Sequence, residues 1–188
     1  VWVSPSGDND FNLGTSSNEA FLTIQRALEM IAPSEDNPIT INLTEGTFSP
    51  SITGEPIPII MISNVNLIGQ GVDLTIIDGD QSNTRVIIFE DCVNNMISGI
   101  TISNGTHPYD GSGWGNGSGI LIDNSSPTIT SCLFQNNKLT SVSWPSYGEG
   151  GAISIIGNSS STISNCTFTN NYASRGGGAI NIIDADDV

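Results

Sequence analysis

The feature that most constrains the fold of this chain is an internal repeat. Three segments align without gaps, and they span residues 96–105, 128–137 and 162–171. A second, shorter segment follows each of them, at residues 119–122, 152–155 and 179–182. Equivalent residues of the first element are 32 and 34 residues apart, and those of the second are 33 and 27 apart. The two elements therefore keep their pattern while the connection between them varies.

Within these segments, apolar residues alternate with polar ones, as in Cys166 and Phe168 or in Ile153 and Ile155. Such alternation is typical of a strand with one buried face. A short strand cannot bury that face alone, but coils stacked on one another can. A repeat of this length with short strands therefore predicts an all-β fold, a parallel β-helix.

The earlier part of the chain fits the same architecture more loosely. Strand-like segments separated by Gly and Asp turns begin near Thr40, so we expect a β-helix of about five coils over residues 39–188. Residues 1–38 are expected to form a loop and an amphipathic helix from Glu19 to Ile31 that caps the first coil. Pro33 is expected to stop this helix. Because the sequence ends just after a strand, we also expect that the solenoid is truncated there or that another molecule covers its last coil.

The charge of the chain argues against nucleic acid as a partner, and its short apolar runs argue against insertion into a membrane. It has 4 Lys and Arg against 19 Asp and Glu, a net charge of −15, and only 12% of its residues are charged. A phosphate backbone needs clustered basic residues, and these four are scattered, so nucleic acid is not an expected partner. No apolar run approaches the ~20 residues of a membrane-spanning helix, so membrane insertion of this segment is not expected.

The N-terminal segment resembles a known superfamily. Residues Trp2–Thr15 together with Phe21–Leu28 look like the start of secreted right-handed β-helix proteins of the pectate-lyase-like superfamily. This resemblance implies a right-handed parallel β-helix and an extracellular or cell-surface location. It implies no particular activity.

The later repeats resemble a second family, the polymorphic outer-membrane protein adhesins with their paired FxxN and GGAI motifs. The similar segments are Phe134–Asn137 with Gly150–Ile153, and Phe168–Asn171 with Gly177–Ile180. A third copy departs from the pattern, since Ile102 replaces the Phe and residues 117–120 lack the Ala. The resemblance implies an exported, surface-displayed module associated with adhesion. Physically, FxxN supplies an inward Phe and turn asparagines that can form a ladder between coils, and GGAI supplies a tight turn into a strand.

The variable connections form the candidate site. They span residues 105–118, 138–150 and 172–177 and should emerge at one corner of neighbouring coils. The candidate ligand-binding residues in them are His107, Tyr109, Trp114, Trp144, Tyr147 and Tyr172. Exposed aromatic rings on a rigid scaffold stack on sugars or anchor a protein partner. The alternative is that these rings pack beneath their own loops as a small satellite core.

An enzymatic alternative uses the same corner. The architecture resembles that of polysaccharide lyases, which need a Lys or Arg base beside carboxylates that bind calcium around a uronate. That resemblance implies Lys138 or Arg175 as the base, with Asp110, Asp123 and Glu149 as calcium ligands. A glycosidase would need two acids facing one sugar, and these coils contain no paired acidic motif. Outside the lyase hypothesis, no residue is assigned a catalytic role.

A second candidate calcium site lies near the N-terminus. Asp8, Asp10 and Asn12 alternate with other residues, and Glu19 is the twelfth position counted from Asp8. Oxygen ligands in this order are typical of a loop that wraps around Ca²⁺. Leu13 stands where such a loop wants glycine, so the alternative is a turn with solvated acids and Glu19 at the helix start.

Together these patterns predict a non-catalytic, exported β-helix module of a cell-surface or extracellular protein, serving adhesion, carbohydrate binding or a fibrous scaffold. The expected partner is a polysaccharide or a surface protein, and head-to-tail self-association is a further option. Calcium is the one cofactor considered. The alternative is a calcium-dependent polysaccharide lyase or another polysaccharide-degrading enzyme.

Overall fold

The computed structural model of the chain describes residues 1–108, 115–140, 148–174 and 176–183. One strand and two short helical segments precede the solenoid. They are β1 (Trp2–Val3), a 3-10 helical turn (Ser17–Glu19) and α1 (Ile24–Met30). Within the described ranges, no helix has the length and apolar character needed to cross a membrane.

From Ile39 onward the chain winds through short strands in successive passes. The first two passes are β2 (Ile39–Leu43), β3 (Gly46–Phe48) and β4 (Ile59–Ile60), then β5 (Val65–Ile68), β6 (Thr75–Asp78) and β7 (Ile87–Glu90). The third is β8 (Met96–Ser98), β9 (Thr101–Ser103), β10 (Thr106–Pro108), β11 (Gly115–Asn116) and β12 (Ile120–Asp123). The fourth is β13 (Thr128–Thr130), β14 (Leu133–Gln135), β15 (Lys138–Thr140), β16 (Gly148–Glu149) and β17 (Ile153–Ile156). The last is β18 (Thr162–Ser164), β19 (Thr167–Thr169), β20 (Tyr172–Ala173) and β21 (Ile180–Ile183).

Strands from successive passes pair side by side and build three long sheets. The first sheet has the order β1-β2-β5-β8-β13-β18, the second β3-β6-β9-β14-β19 and the third β4-β7-β12-β17-β21. Their pairings are parallel. Two short parallel sheets, β10-β15-β20 and β11-β16, are added at one corner. The predicted parallel β-helix is therefore confirmed.

The core consists of equivalent side chains stacked from one pass to the next. In the first sheet, Leu67, Ile97 and Ile129 are in register, and each is 0% exposed. In the second sheet, the Phe134 and Phe168 rings stack with their centroids 5.0 Å apart and their planes at 7°. The alternating pattern of the sequence thus marks the inward positions, and each of them packs against its equivalents in the neighbouring passes.

The corners between the sheets require left-handed backbone. Gly99, Ser131 and Asn165 occupy equivalent corner positions with φ of 67°, 54° and 52°. Glycine and asparagine tolerate this region better than other residues. Asn136, which directly precedes the asparagine of the FxxN motif, has a φ of 57° and also lies in this region. This backbone requirement explains the richness of the repeats in Asn and Gly.

The asparagine of the FxxN motif, Asn137, forms the predicted ladder between coils. Asn137 is 0% exposed. Its amide nitrogen donates to the Ile102 carbonyl at 3.0 Å and to Asn171 Oδ1 at 3.1 Å. Its Oδ1 accepts from the Gly105 N–H at 3.0 Å. Asn171 repeats the arrangement by donating to the Phe134 carbonyl at 2.9 Å. The ladder therefore ties three passes together where the variable connections begin.

The GGAI motif also has a structural cause. Gly150 has a φ of +74°, and a Cβ there would lie 2.6 Å from the Ile153 carbonyl oxygen. Gly117 and Gly177 stand against the carbonyl three residues onward in the same way. A side chain has no room at this entry into the third sheet, so the motif needs glycine.

Helix α1 is shorter than predicted. It spans Ile24–Met30 rather than Glu19–Ile31. The residues before it are drawn into other structure, because Phe21 forms a parallel bridge with Val3. Thr23 then acts as the N-cap, since its side chain accepts a hydrogen bond from the backbone of the first turn. The apolar face of α1 is buried against the start of the solenoid, as expected of a cap, through Ile24, Ala27 and Leu28.

A buried carboxylate joins α1 to the first pass. Glu55, in the connection between β3 and β4, is 1% exposed. Its two carboxylate oxygens accept from the backbone N–H groups of Ile24 at 2.6 Å and Gln25 at 2.9 Å. Burial outweighs these hydrogen bonds and raises the pKa of Glu55 from 4.5 to about 7. The folded chain therefore binds this proton more tightly than the unfolded chain does.

We expect Asn137→Ala to lower the free energy of unfolding by about 2–4 kcal/mol, because it leaves the buried Ile102 carbonyl and Gly105 N–H without that partner. Denaturation by urea measures the change. The exposed Asn18 supplies the control, since Asn18→Ala should change stability by less than about 0.5 kcal/mol. Equal stabilities for the two variants would show that the ladder does not stabilise the fold.

The stability of the chain should also depend on pH through Glu55. Because folding raises its pKa, its stabilising contribution is complete below about pH 4.5 and falls by about 3 kcal/mol as pH rises through 7. Urea denaturation at several pH values measures this loss. Glu55→Gln should remove it, whereas Glu29→Gln, at an exposed position of α1, should keep it. Parallel pH profiles for the wild type and Glu55→Gln would contradict the assignment.

Candidate functional site

The variable connections meet at one corner, as the repeat predicts, and their first residues form strands rather than loops. β10, β15 and β20 make a parallel three-stranded sheet, which we call the corner sheet. In its register Thr106, Lys138 and Tyr172 form one row, and His107, Leu139 and Ala173 form the next. Strand alternation therefore decides which candidate residues of the corner sheet point to solvent and which point inward.

The two rows of the corner sheet face opposite ways. Leu139 is 0% exposed, so its row points inward. Lys138 is exposed, and Tyr172 is 51% exposed, so their row points to solvent. The Lys138 ammonium lies 6.0 Å from the centroid of the Tyr172 ring, which is cation–π geometry. The outer row thus presents an aromatic ring and a cation side by side.

The backbone beneath this row is held by hydrogen bonds to the solenoid. The N–H of Lys138 donates to the Gly105 carbonyl at 2.8 Å, and that of Tyr172 to the Asn137 carbonyl at 2.9 Å. Thr106 Oγ1 accepts from the Asn83 N–H at 3.0 Å. The corner sheet is therefore an extension of the rigid scaffold, and its backbone fixes where the exposed side chains emerge.

The other residues predicted at this corner fall into three groups. His107 lies in the inward row beside Leu139 and not in the row of Lys138 and Tyr172. Tyr109, Asp110, Trp114, Trp144, Tyr147 and Arg175 lie outside the described residues. Glu149 lies in β16, in the second short sheet. Of the six predicted ligand-binding residues, the structure thus places only Tyr172 on the outer row among those it describes.

Asp123, a calcium ligand in the lyase hypothesis, stands at the end of β12 in the third sheet. Burial and the nearby charge of Asp91 raise its pKa. This position is at the opposite end of β12 from β11, through which the corner connection enters that strand. Asp123 therefore lies near Asp91, at the end of β12 that is away from the corner connection.

The N-terminal carboxylates take part in the local turn. Asp8 Oδ1 accepts from the N–H groups of Asp10 at 2.8 Å and Phe11 at 3.0 Å. Asn12 donates its amide to the Ala20 carbonyl at 2.8 Å, and Glu19 accepts from the Thr15 hydroxyl. No group of three or more His, Cys, Asp or Glu side chains suited to a metal ion occurs in the described part of the chain. Calcium binding by these residues stays a prediction.

Sequence reasoning missed the pairing of Lys138 with Tyr172, although the signal was present. Lys138 directly follows Asn137, and Tyr172 directly follows Asn171. Because the two asparagines are equivalent in the repeat, the residues after them have to be neighbours in adjacent passes. Extending the alignment by one residue finds the pair.

A pocket of about 310 Å³ also opens beside the second sheet, and among the residues that the structure describes no charged or aromatic side chain lines it. Its lining residues are Val72, Ser131, Cys132, Leu133, Asn165 and Thr167. Cys132 is not an activated nucleophile there, since burial raises the pKa of its thiol to about 11. The outer row of the corner sheet therefore offers the more distinctive chemistry.

Comparison with known proteins agrees with this fold. The sequence model of a protein family described as a right handed beta helix region matches residues 61–188. Among solved structures, the chain is similar to a pectin methylesterase mutant in complex with a hexasaccharide, with a TM-score of 0.52 and 12% identity over 98% of this chain and 66% of that one. It is also similar to ORF18 of Geobacillus virus E2, with a TM-score of 0.36 and 14% identity over 91% of this chain and 49% of that one.

The chain thus spans about two thirds of the methylesterase chain and about half of the viral one. At 12% identity, the likeness to the methylesterase shows a shared pectate-lyase-like fold and nothing about activity. No curated protein matches the sequence. The resemblance to polymorphic outer-membrane protein repeats stays a prediction.

Proposed function

We propose, for a chain that belongs to the right-handed β-helix family, a non-catalytic role in binding polysaccharide as a module of an exported protein. The observation that carries the proposal is the Lys138 and Tyr172 pair on the outer row of the corner sheet. An exposed ring on a rigid strand stacks on the apolar face of a sugar, and an adjacent ammonium donates to its hydroxyl or carboxylate oxygens.

The geometry suits an extended ligand. The corner sheet continues across three passes, so its outer row runs from one coil to the next. The exposed Lys138 side chain has rotamer freedom and a weak contact with the ring, so a sugar can displace it at little cost. The net charge of −15 repels acidic polymers, which makes this cation important for any uronate-containing ligand.

Two further observations support the polysaccharide class and the exported location. A solved protein with this fold holds a hexasaccharide. The N-terminal segment and the repeats resemble secreted and surface-displayed β-helix proteins. Adhesion would then follow from binding glycans on a neighbouring surface.

The competing hypothesis is a calcium-dependent lyase that uses Lys138 or Arg175 as its base. Such a base must meet a uronate that is held by calcium-binding carboxylates. Asp123 instead stands beside Asp91 at the end of β12. Catalysis would need a base and calcium-binding carboxylates together, whereas binding needs only the aromatic ring and the ammonium of Tyr172 and Lys138.

We expect Tyr172→Ala to weaken binding to a polysaccharide about tenfold or more, because the stacking surface is lost. Tyr172→Phe should retain most of the affinity. Affinity electrophoresis of the purified chain in gels containing polygalacturonate, alginate or neutral glucans measures the effect. Lys138→Ala should weaken binding to the two acidic polymers more than to the neutral glucans, because the ammonium pairs with their carboxylates as well as with hydroxyls. Its matched control is Arg26→Ala, which removes a cation from α1.

Two results would overturn this proposal. One is that Tyr172→Ala and Lys138→Ala bind every polymer as the wild type does. The other is calcium-dependent release of unsaturated products from a uronate polymer that Lys138→Ala or Arg175→Ala abolishes, because that result would establish the lyase.

A further inference from the structure

We propose that the loop between β1 and the 3-10 helical turn is a docking tip for a basic protein, with Phe11 and Leu13 as its apolar anchors. Phe11 is 85% exposed and Leu13 is 70% exposed. Single exposed apolar side chains are ordinary on protein surfaces. Two large ones within three positions of a single loop are a concentrated apolar display.

The tip is held in one shape by side-chain hydrogen bonds to backbone groups within it and next to it. Asp8 Oδ1 accepts from the N–H of Phe11 at 3.0 Å, and the Asn12 amide donates to the Ala20 carbonyl at 2.8 Å. Because Asn12 turns toward the protein, the residues on either side of it are left facing solvent. The anchors are thus presented by an ordered loop.

The base of the loop is closed by further hydrogen bonds. The N–H of Gly14 donates to the Glu19 carbonyl at 2.7 Å, and the N–H of Trp2 donates to the Gly14 carbonyl at 2.9 Å. Asn9 Oδ1 accepts from the N–H groups of Leu22 at 2.8 Å and Thr23 at 3.2 Å. A tip that is ordered before binding loses little conformational entropy when a partner covers it.

The charges around the anchors identify the chemistry of the partner. Asp10 directly precedes Phe11 and is exposed, and Asp8 is partly exposed. Glu19 is exposed at the base of the loop, where its carbonyl accepts from the N–H of Gly14. Apolar anchors in an acidic loop are complementary to an apolar pocket with Lys and Arg at its rim. The partner is therefore a basic protein surface.

Two other occupants fit less well. A second copy of this chain has only 4 basic residues against 19 acidic ones, so two copies repel each other. A glycan would use the flat Phe11 ring and its polar neighbours but not the aliphatic Leu13 side chain, whereas an apolar protein pocket takes both. The tip precedes the first pass of the solenoid, whereas the corner sheet belongs to the last three, so the two surfaces are independent.

The test is selection of a random-peptide display library on the wild-type chain, with the Phe11→Ser/Leu13→Ser double variant as the counter-target. We expect enriched peptides to combine apolar residues with Lys or Arg. They should bind the double variant roughly tenfold or more weakly than the wild type. The matched control is Ile52→Ser, which removes another exposed apolar side chain, at 63% exposure, and should bind as the wild type does.

Several outcomes would overturn the proposal. They are selection of peptides without basic residues, equal binding to the double variant, and failure to enrich any peptide that distinguishes the two targets. Polysaccharide binding that the double variant loses would assign the tip to a glycan. A concentration-dependent dimer that the double variant loses would assign it to a second copy. Thermal denaturation should show that the double variant keeps wild-type stability, because both side chains are exposed.

Discussion

Register between successive passes is the constraint on which the rest of this structure depends. Each inward side chain packs against its equivalents in adjacent passes, as Ile97 does with Ile129 and Phe134 with Phe168. A parallel stack of this kind permits no drift, since a shift of one residue would turn the apolar face outward. Three features keep each strand in register with its equivalent in the neighbouring pass. They are the left-handed corners, the glycines before the third sheet and the asparagine ladder.

Much of this architecture could be predicted from the sequence, because the physical rule that builds it repeats. Alternation marked the inward positions, and the paired asparagines marked the corner ladder. The start of α1 could not be predicted in this way, since it depends on the bridge between Phe21 and Val3. Glu55 carried no signal either, because its role depends on two N–H groups about thirty residues earlier in the chain.

The meeting of the variable connections was predicted, but their strand structure was not. The three variable connections do meet at one corner, and Tyr172 is exposed there. The interpretation as loops missed that strand alternation separates His107 from Tyr172 and brings Lys138 beside the ring. The chain then presents two chemically different surfaces, a cation with an aromatic ring at the corner sheet and apolar anchors among carboxylates at the N-terminal tip.

The spacing of the contacts bears on how such a chain is assembled. The side chain of Asn137 bonds to partners 34 and 35 residues away, and Glu55 bonds to Ile24 across 31. This separation is set by the circumference of a coil and does not grow as coils are added. Each new coil therefore meets a finished template soon after it is synthesised, so a longer solenoid is slower to complete but no harder to begin. The cap likewise depends on a later part of the chain, because the first turn of α1 is bonded only once Glu55 is in place.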